Sequence, residues 1–129
     1  MGSRAIEFAG LAVLLHDELE SLPVEESDFV LVTGAHAGLS SARRILRRPP
    51  RLVVFNDAGV GKDNAGIAGL ELLDGFNIAA AAVAADSARI GDASDTLENG
   101  RISHCNEHAV SLGLKPGDSV REALDRIER

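Results

Sequence analysis

The stretch at residues 52–66, LVVFNDAGVGKDNAG, constrains the fold most, because the unbroken apolar run Leu52, Val53, Val54, Phe55 opens straight into a loop of glycine and charge. A strand that is apolar on both faces has to be buried on both, and a parallel sheet covered by helices supplies that burial. Two further stretches repeat the design, FVLVTGAHAGLSS at 29–41 and IAAAAVAADSARIGD at 78–92. Side by side, such strands bring three polar loops to one edge of a sheet.

The segments between them carry helix signals. Ser40 or Ser41 can cap a helix reaching about residue 48, which Pro49 and Pro50 end. Asn64 can cap a helix over 65–74, with Gly75 as its terminator and Gly66 and Gly69 allowing close packing on the sheet. Residues 78–85 read as a strand by position, although their alanine content favours a helix. A short helix over 92–98 and an Asn99-Gly100 turn follow. Ser103 then caps a helix over 103–112, and Ser119 with Glu122 makes a capping box for a last helix over 120–127.

The first twenty-odd residues admit two readings. Phe8, Leu11, Leu15, Leu19 and Leu22 fall at helical spacing, whereas Gly10 weakens a helix interior and Asp17 with Glu20 signals a helix start. A strand over 11–16 and a short helix over 18–22 is the preferred reading, followed by an acidic connector over 23–28. The whole chain is then one α/β domain, a three-layer fold with a mostly parallel sheet of about four strands flanked by helices and joined by right-handed crossovers.

Composition narrows the function classes. Four Phe and no Trp or Tyr leave Ala, Val, Ile and Leu to fill the core. A net charge of -7 argues against nonspecific nucleic acid or membrane-surface binding, both of which draw on a basic field. Cys105 is the one cysteine, so an internal disulfide is excluded. The start MGSRAIEF lacks the layout of a signal peptide, and the apolar run at 11–15 is too short to span a bilayer, so a cytoplasmic location is expected.

Ligands of open α/β sheets bind beyond the carboxyl ends of the strands, which directs attention to the three loops. In the first, Gly34 and Gly38 with Ser40 form a strand-to-helix turn whose free N–H groups favour a carboxylate or phosphate, or else simply permit a tight turn. It is neither a Walker A loop nor a G-x-G-x-x-G fingerprint. His36 can transfer protons near neutral pH or serve as an ordinary loop histidine. In the second, Asn56 and Asp57 follow the strand, with Asp57 as a candidate base and Lys62 as a holder of an anionic group. The third adds Asp86, Ser87 and Arg89, whose planar fork suits a carboxylate or an internal pairing with Asp57, Asp86 or Asp92.

Two other motifs are weaker. His104-Cys105-Asn106-Glu107-His108 has the letters of the inverted zinc-protease signature, in which both histidines share a helix face, yet a partly buried helix with a polar face accounts for it, and no metal is assigned. The run Arg43, Arg44, Arg47, Arg48, Arg51 is a solvated helix end or a patch for the acidic residues of another copy.

Taken together, VTGAHAG, NDAGVGKD, SARIGDA and GRISHCN resemble a small family of bacterial single-domain α/β proteins known only as hypothetical proteins. The likeness spans residue 29 to the C-terminus; Ala35 and Ala37 depart from it, the family's first loop reading Gly-Ser-His-Gly-Gly. The resemblance implies a common fold and pocket and supplies no activity.

The expectation for function is a small-molecule-binding protein with a pocket for an anionic metabolite at the strand carboxyl ends. As an enzyme it would be a hydrolase or lyase working without a cofactor, with His36 and Asp57 handling protons. The alternatives are a non-catalytic metabolite sensor or regulatory subunit, and a structural protein in which Asp57, Lys62, Asp86 and Arg89 form an ion-pair network. So aliphatic a chain is also expected to form a homo-oligomer.

Overall fold

In the computed structural model the described residues are 3–19 and 29–127. Strands β2 (Leu11–His16), β3 (Val30–His36), β4 (Leu52–Asn56) and β5 (Ala80–Val83) form the parallel centre of one sheet. Edge strands β1 (Ser3–Phe8) and β6 (Ile102–Cys105) pair antiparallel with β2 and β5, giving the order β1-β2-β3-β4-β5-β6. The sheet is therefore six-stranded and mixed, which corrects the expectation of about four mostly parallel strands.

Both added strands lie at edges, where only one side chain in two needs to be apolar. In β1, Ile6 and Phe8 pack inward while Ala5 and Glu7 are exposed. The β1–β2 hairpin turns on Ala9 and Gly10, both at positive φ (50° and 87°), the mirror-image geometry that matches the twist of paired strands. Gly10, a liability in a helix, is what this turn requires. The helix expected to begin near residue 18 and the acidic connector lie, from residue 20 onward, outside the described residues.

Alternate strand residues divide between two cores. Val30, Val32, Leu52, Val54, Ala81 and Val83 pack under α3 (Ala93–Asn99) and α5 (Val120–Arg126). Leu31, Val53, Phe55, Ala80 and Ala82 pack under α1 (Leu39–Ile45) and α2 (Ala68–Gly75), which also contact each other. Each large side chain buried this way, Phe55 and Leu31 among them, contributes about 2–3 kcal/mol of transfer free energy. The alanines of β5 are fully buried between the two layers, so the need for a thin central strand overrides their helical propensity.

Several boundaries differ from the sequence pattern: α1 is preceded by Gly38, so Ser40 and Ser41 lie inside it rather than capping it, and it ends at Ile45 rather than near residue 48. The helix expected over 65–74 begins only at Ala68; a single 3-10 turn, Lys62–Asn64, precedes it, and Asn64 caps nothing. Gly66 backs onto the Asp57 carbonyl, where a Cβ would overlap, so this stretch must coil close to the sheet before the helix can start. Residue 103 does not cap a helix either. Residues 102–105 extend the sheet, and Asn106 caps the short α4 (Glu107–Ser111) instead, its Oδ1 accepting from Ala109 N at 2.9 Å and Ala80 N at 3.1 Å. Its Nδ2 donates to Leu70 O (3.1 Å) and Ile78 O (2.9 Å), which pins α4 to β5 and α2. The capping box of Ser119 and Glu122 stands as expected at the start of α5. Among the described residues no helix is long and apolar enough to cross a membrane.

Candidate functional site

The connections after β3 and β4 lead to α1 and α2 on one face of the sheet, while the connection after β5 leads to α3 on the other. The loops thus part company between β4 and β5, the kind of crevice in which open α/β sheets take ligands. Asn56 and Asp57, at the end of β4, sit in it.

Asp57 is 5% exposed and its carboxylate is the hub. Oδ1 accepts from Gly59 N (2.8 Å) and from Ala85 N (3.0 Å), and Oδ2 accepts from Ser103 Oγ (2.7 Å). His104 Nδ1 lies 3.0 Å from Ser103 Oγ and 4.0 Å from Asp57 Oδ2. A bulge explains how two consecutive residues come to share a partner. Val83 pairs with Ile102 and Ala82 with His104, so Ser103 is the extra residue of β6, and the doubled step turns Ser103 and His104 towards the same carboxylate.

The hydrogens of this chain follow from its geometry. Ser103 has one proton, and the short contact to a carboxylate takes it; Oγ therefore accepts from His104 Nδ1, and in the neutral ring Nε2 is then the lone-pair acceptor. His36 is held the opposite way. Its Nδ1 accepts from Gly38 N at 3.0 Å, with Ser41 Oγ at 3.3 Å, so its proton sits on Nε2 and that nitrogen donates. The strands that carry the two rings, β3 and β6, lie three strand spacings apart, about 14 Å between backbones.

The loop that follows Asp57 is strained. Ala58, Val60, Asp63 and Asn64 all have φ between 53° and 66°. A left-handed non-glycine residue costs about 1–2 kcal/mol, and a β-branched one such as Val60 is an outlier. Asp57 holds the strain in place, since its carbonyl accepts from Val60 N (2.7 Å) while its side chain accepts from Gly59 N. Such strain persists only where the surroundings over-determine it, and here the Asp57 hydrogen bonds do so.

The remaining candidates divide. Asn56 is fully buried; its Nδ2 donates to Ala88 O (3.0 Å) and its Oδ1 accepts from Ala58 N (2.8 Å), so it ties the second loop to the third. Ser87 Oγ donates to Ala84 O (2.7 Å) and accepts from Arg101 N (3.0 Å), fastening the third loop to β6. Gly34 is packed so tightly on the Gly91–Asp92 backbone that a side chain would overlap it. Gly38 begins α1 with no side-chain cap, and Ser40 beside it is exposed. Lys62 and Asp86 are exposed and make no ion pair among the described residues. Arg89, its side chain 79% exposed, lies 3.9 Å from Asp92, while its backbone N–H donates to Asp95 at 2.6 Å. The structure therefore groups Asp57 with Ser103 and His104, and His36 with Gly38 and Ser41.

Sequence reasoning placed Ser103 and His104 on a helix, whereas they lie on β6 beside Asp57. The signal was the Asn99-Gly100 turn followed by a short stretch with β-branched Ile102, an edge-strand pattern masked by reading Ser103 as a helix cap. His104 and His108 do not share a helix face: His108 pairs with Asp74 at 2.8 Å, and its hydrogen bonds hold that carboxyl below the ordinary range. Burial, with Asp118 nearby, pushes the Cys105 thiol up to about 11, which keeps the thiolate fraction small at neutral pH. Among the described residues no cluster of three His, Cys, Asp or Glu side chains could hold a metal ion. The chain matches no protein-family model, no curated protein and no solved structure.

Proposed function

We propose that the protein binds a small anionic metabolite at the carboxyl ends of β3, β4 and β5 and acts on it by acid–base chemistry, as a hydrolase or lyase without a redox cofactor. The observation that carries this reading is the chain Asp57–Ser103–His104, a buried carboxylate orienting a half-exposed imidazole through one hydroxyl. In this arrangement Nε2 of His104 accepts the proton, and Asp57, 4.0 Å from Nδ1, stabilises the imidazolium that results. Asp57 is a positioning residue here rather than the base, because both of its oxygens already accept hydrogen bonds. The exposed donors at the same edge, the Nε2–H of His36 and Lys62, support an anionic ligand.

The test is turnover of a panel of phosphate esters, carboxylic esters and hydroxy acids by wild type and His104→Gln. Loss of at least a hundredfold in kcat with an unchanged fold is expected. Equal turnover by the variant would contradict the assignment.

Asp57 taken alone favours a second, structural reading, since its carboxylate joins the loop after β4 to the loop after β5 and to β6. Under it Asp57→Asn changes stability and leaves ligand response untouched. Self-association belongs to the proposal as well: Phe76 and Val110, each more than half exposed, lie after α2 and in α4, which the His108–Asp74 pair holds together. A monomer by light scattering would remove that part.

A further inference from the structure

The carboxyl edge holds one more polar side chain, on a strand the site above does not use. His16 ends β2, is 7% exposed, and among the described residues neither of its ring nitrogens has a hydrogen-bond partner. A buried donor or acceptor left unmade is costly, and most proteins avoid it. Its neighbour Asp17 does not supply the partner: Asp17 Oδ1 accepts from Ala93 N (2.8 Å) at the start of α3, on the far face of the sheet.

His16 stands in register with Thr33 on β3, about 4.8 Å away between strands. Thr33 is fully buried; its Oγ1 accepts from Ala35 N (3.2 Å), and its hydroxyl hydrogen has no acceptor among the described residues. His36 closes the same strand with its Nε2–H pointing to no acceptor among them either. Two donors therefore stand side by side at the ends of β2 and β3, one ring N–H of His16 and the hydroxyl of Thr33, with His36 three residues further along β3. A group of donors calls for a ligand that only accepts, and phosphate or carboxylate oxygens, each with several lone pairs, are that class.

We propose that His16 is a ligand-binding residue of the carboxyl-edge site, donating a ring N–H to an anionic oxygen held between the ends of β2 and β3. The inference rests on reading this edge as an anion site and extends that site to β2.

The experiment is thermal melting of the full chain, wild type and His16→Leu, with inorganic phosphate and malonate as probes. Wild type gains about 5 °C at a probe concentration ten times its Kd. His16→Leu melts higher than wild type without probe, because two buried polar atoms are gone, and binds the better probe at least tenfold more weakly. A lower melting temperature for free His16→Leu would mean that the ring has a protein partner, and would overturn the inference. So would equal probe binding by both forms, which leaves the anion site standing without His16. If neither probe stabilises wild type, the anion site itself falls and the inference falls with it. Should His16→Leu not fold, the ring nitrogen resonances of His16 in wild type decide: a saturable shift with phosphate supports the role, and no shift refutes it.

Discussion

Replacing Asp57 separates its structural work from its part in the site. The carboxylate accepts three hydrogen bonds, from Gly59 N, Ala85 N and Ser103 Oγ. Bonds to a charged acceptor are worth about 1.5–3 kcal/mol each, a gross loss of about 5–9 kcal/mol for Asp57→Ala. Gly59 and Ala85 are exposed residues, so water replaces part of what is lost, and the left-handed residues of the loop relax once the tie is cut. The net cost is then about 2–4 kcal/mol, out of roughly 6–19 kcal/mol for a chain of this length. The variant stays folded at room temperature and melts about 10 °C lower. Asp57→Asn keeps an oxygen for both backbone donors and places an amide beside Ser103, which can accept from it while donating to Ala82 O. Its cost is about 1 kcal/mol. Urea unfolding of the three proteins, with amide exchange at Gly59 and Ala85, reads both quantities. An alanine variant within about 0.5 kcal/mol of wild type, or one equal to the asparagine variant, would refute the reasoning.

Three further outcomes follow from other parts of the molecule. Asn106→Ala strips partners from Ala80 N, Ala109 N, Leu70 O and Ile78 O inside the protein, so thermal unfolding should show a loss of about 3–5 kcal/mol, while Asn106→Asp, unable to donate, also destabilises. Asp74, Asp95 and Glu122 are held below their ordinary range mainly by hydrogen bonds, from His108, from Asn99 and from Ser119 respectively. The fold favours their charged forms, so the stability they add is complete above the ordinary carboxylate range and is lost as pH falls through about 4 and lower; a urea midpoint that does not drop between pH 6 and pH 3 would contradict this. Cys105, its thiol raised to about 11, should react with iodoacetamide at neutral pH at least tenfold more slowly than in the unfolded chain.

Much of the central architecture was legible because burial on both faces leaves a continuous apolar run, as in Leu52 to Phe55, and because each run ends in glycine and polar residues. The edge strands were not, since β1 and β6 bury one face and their short patterns, Ile6 with Phe8 and Ile102 with a bulged Ser103, are compatible with helices or turns. The carboxyl-edge rule directed attention to the loops and to Asp57, whose carboxylate is buried and accepts three hydrogen bonds. It could not reveal that the Asp57 carboxylate turns towards β6 rather than His36, because that depends on a bulge more than forty residues away in the chain. The reading of Arg89 left an internal pairing open, and Asp92, the cap of α3, lies 3.9 Å from it.

The proposed role of His104 depends on how its ring is held, and nitrogen NMR of that ring in wild type tests it most directly. With the rings neutral, His104 should carry its proton on Nδ1 and His36 on Nε2, and Asp57→Asn should weaken the first preference without touching the second. A His104 ring that carries its proton on Nε2, or that exchanges freely between the two forms as in an unstructured peptide, would contradict the Asp57–Ser103–His104 chain and the acid–base role built on it.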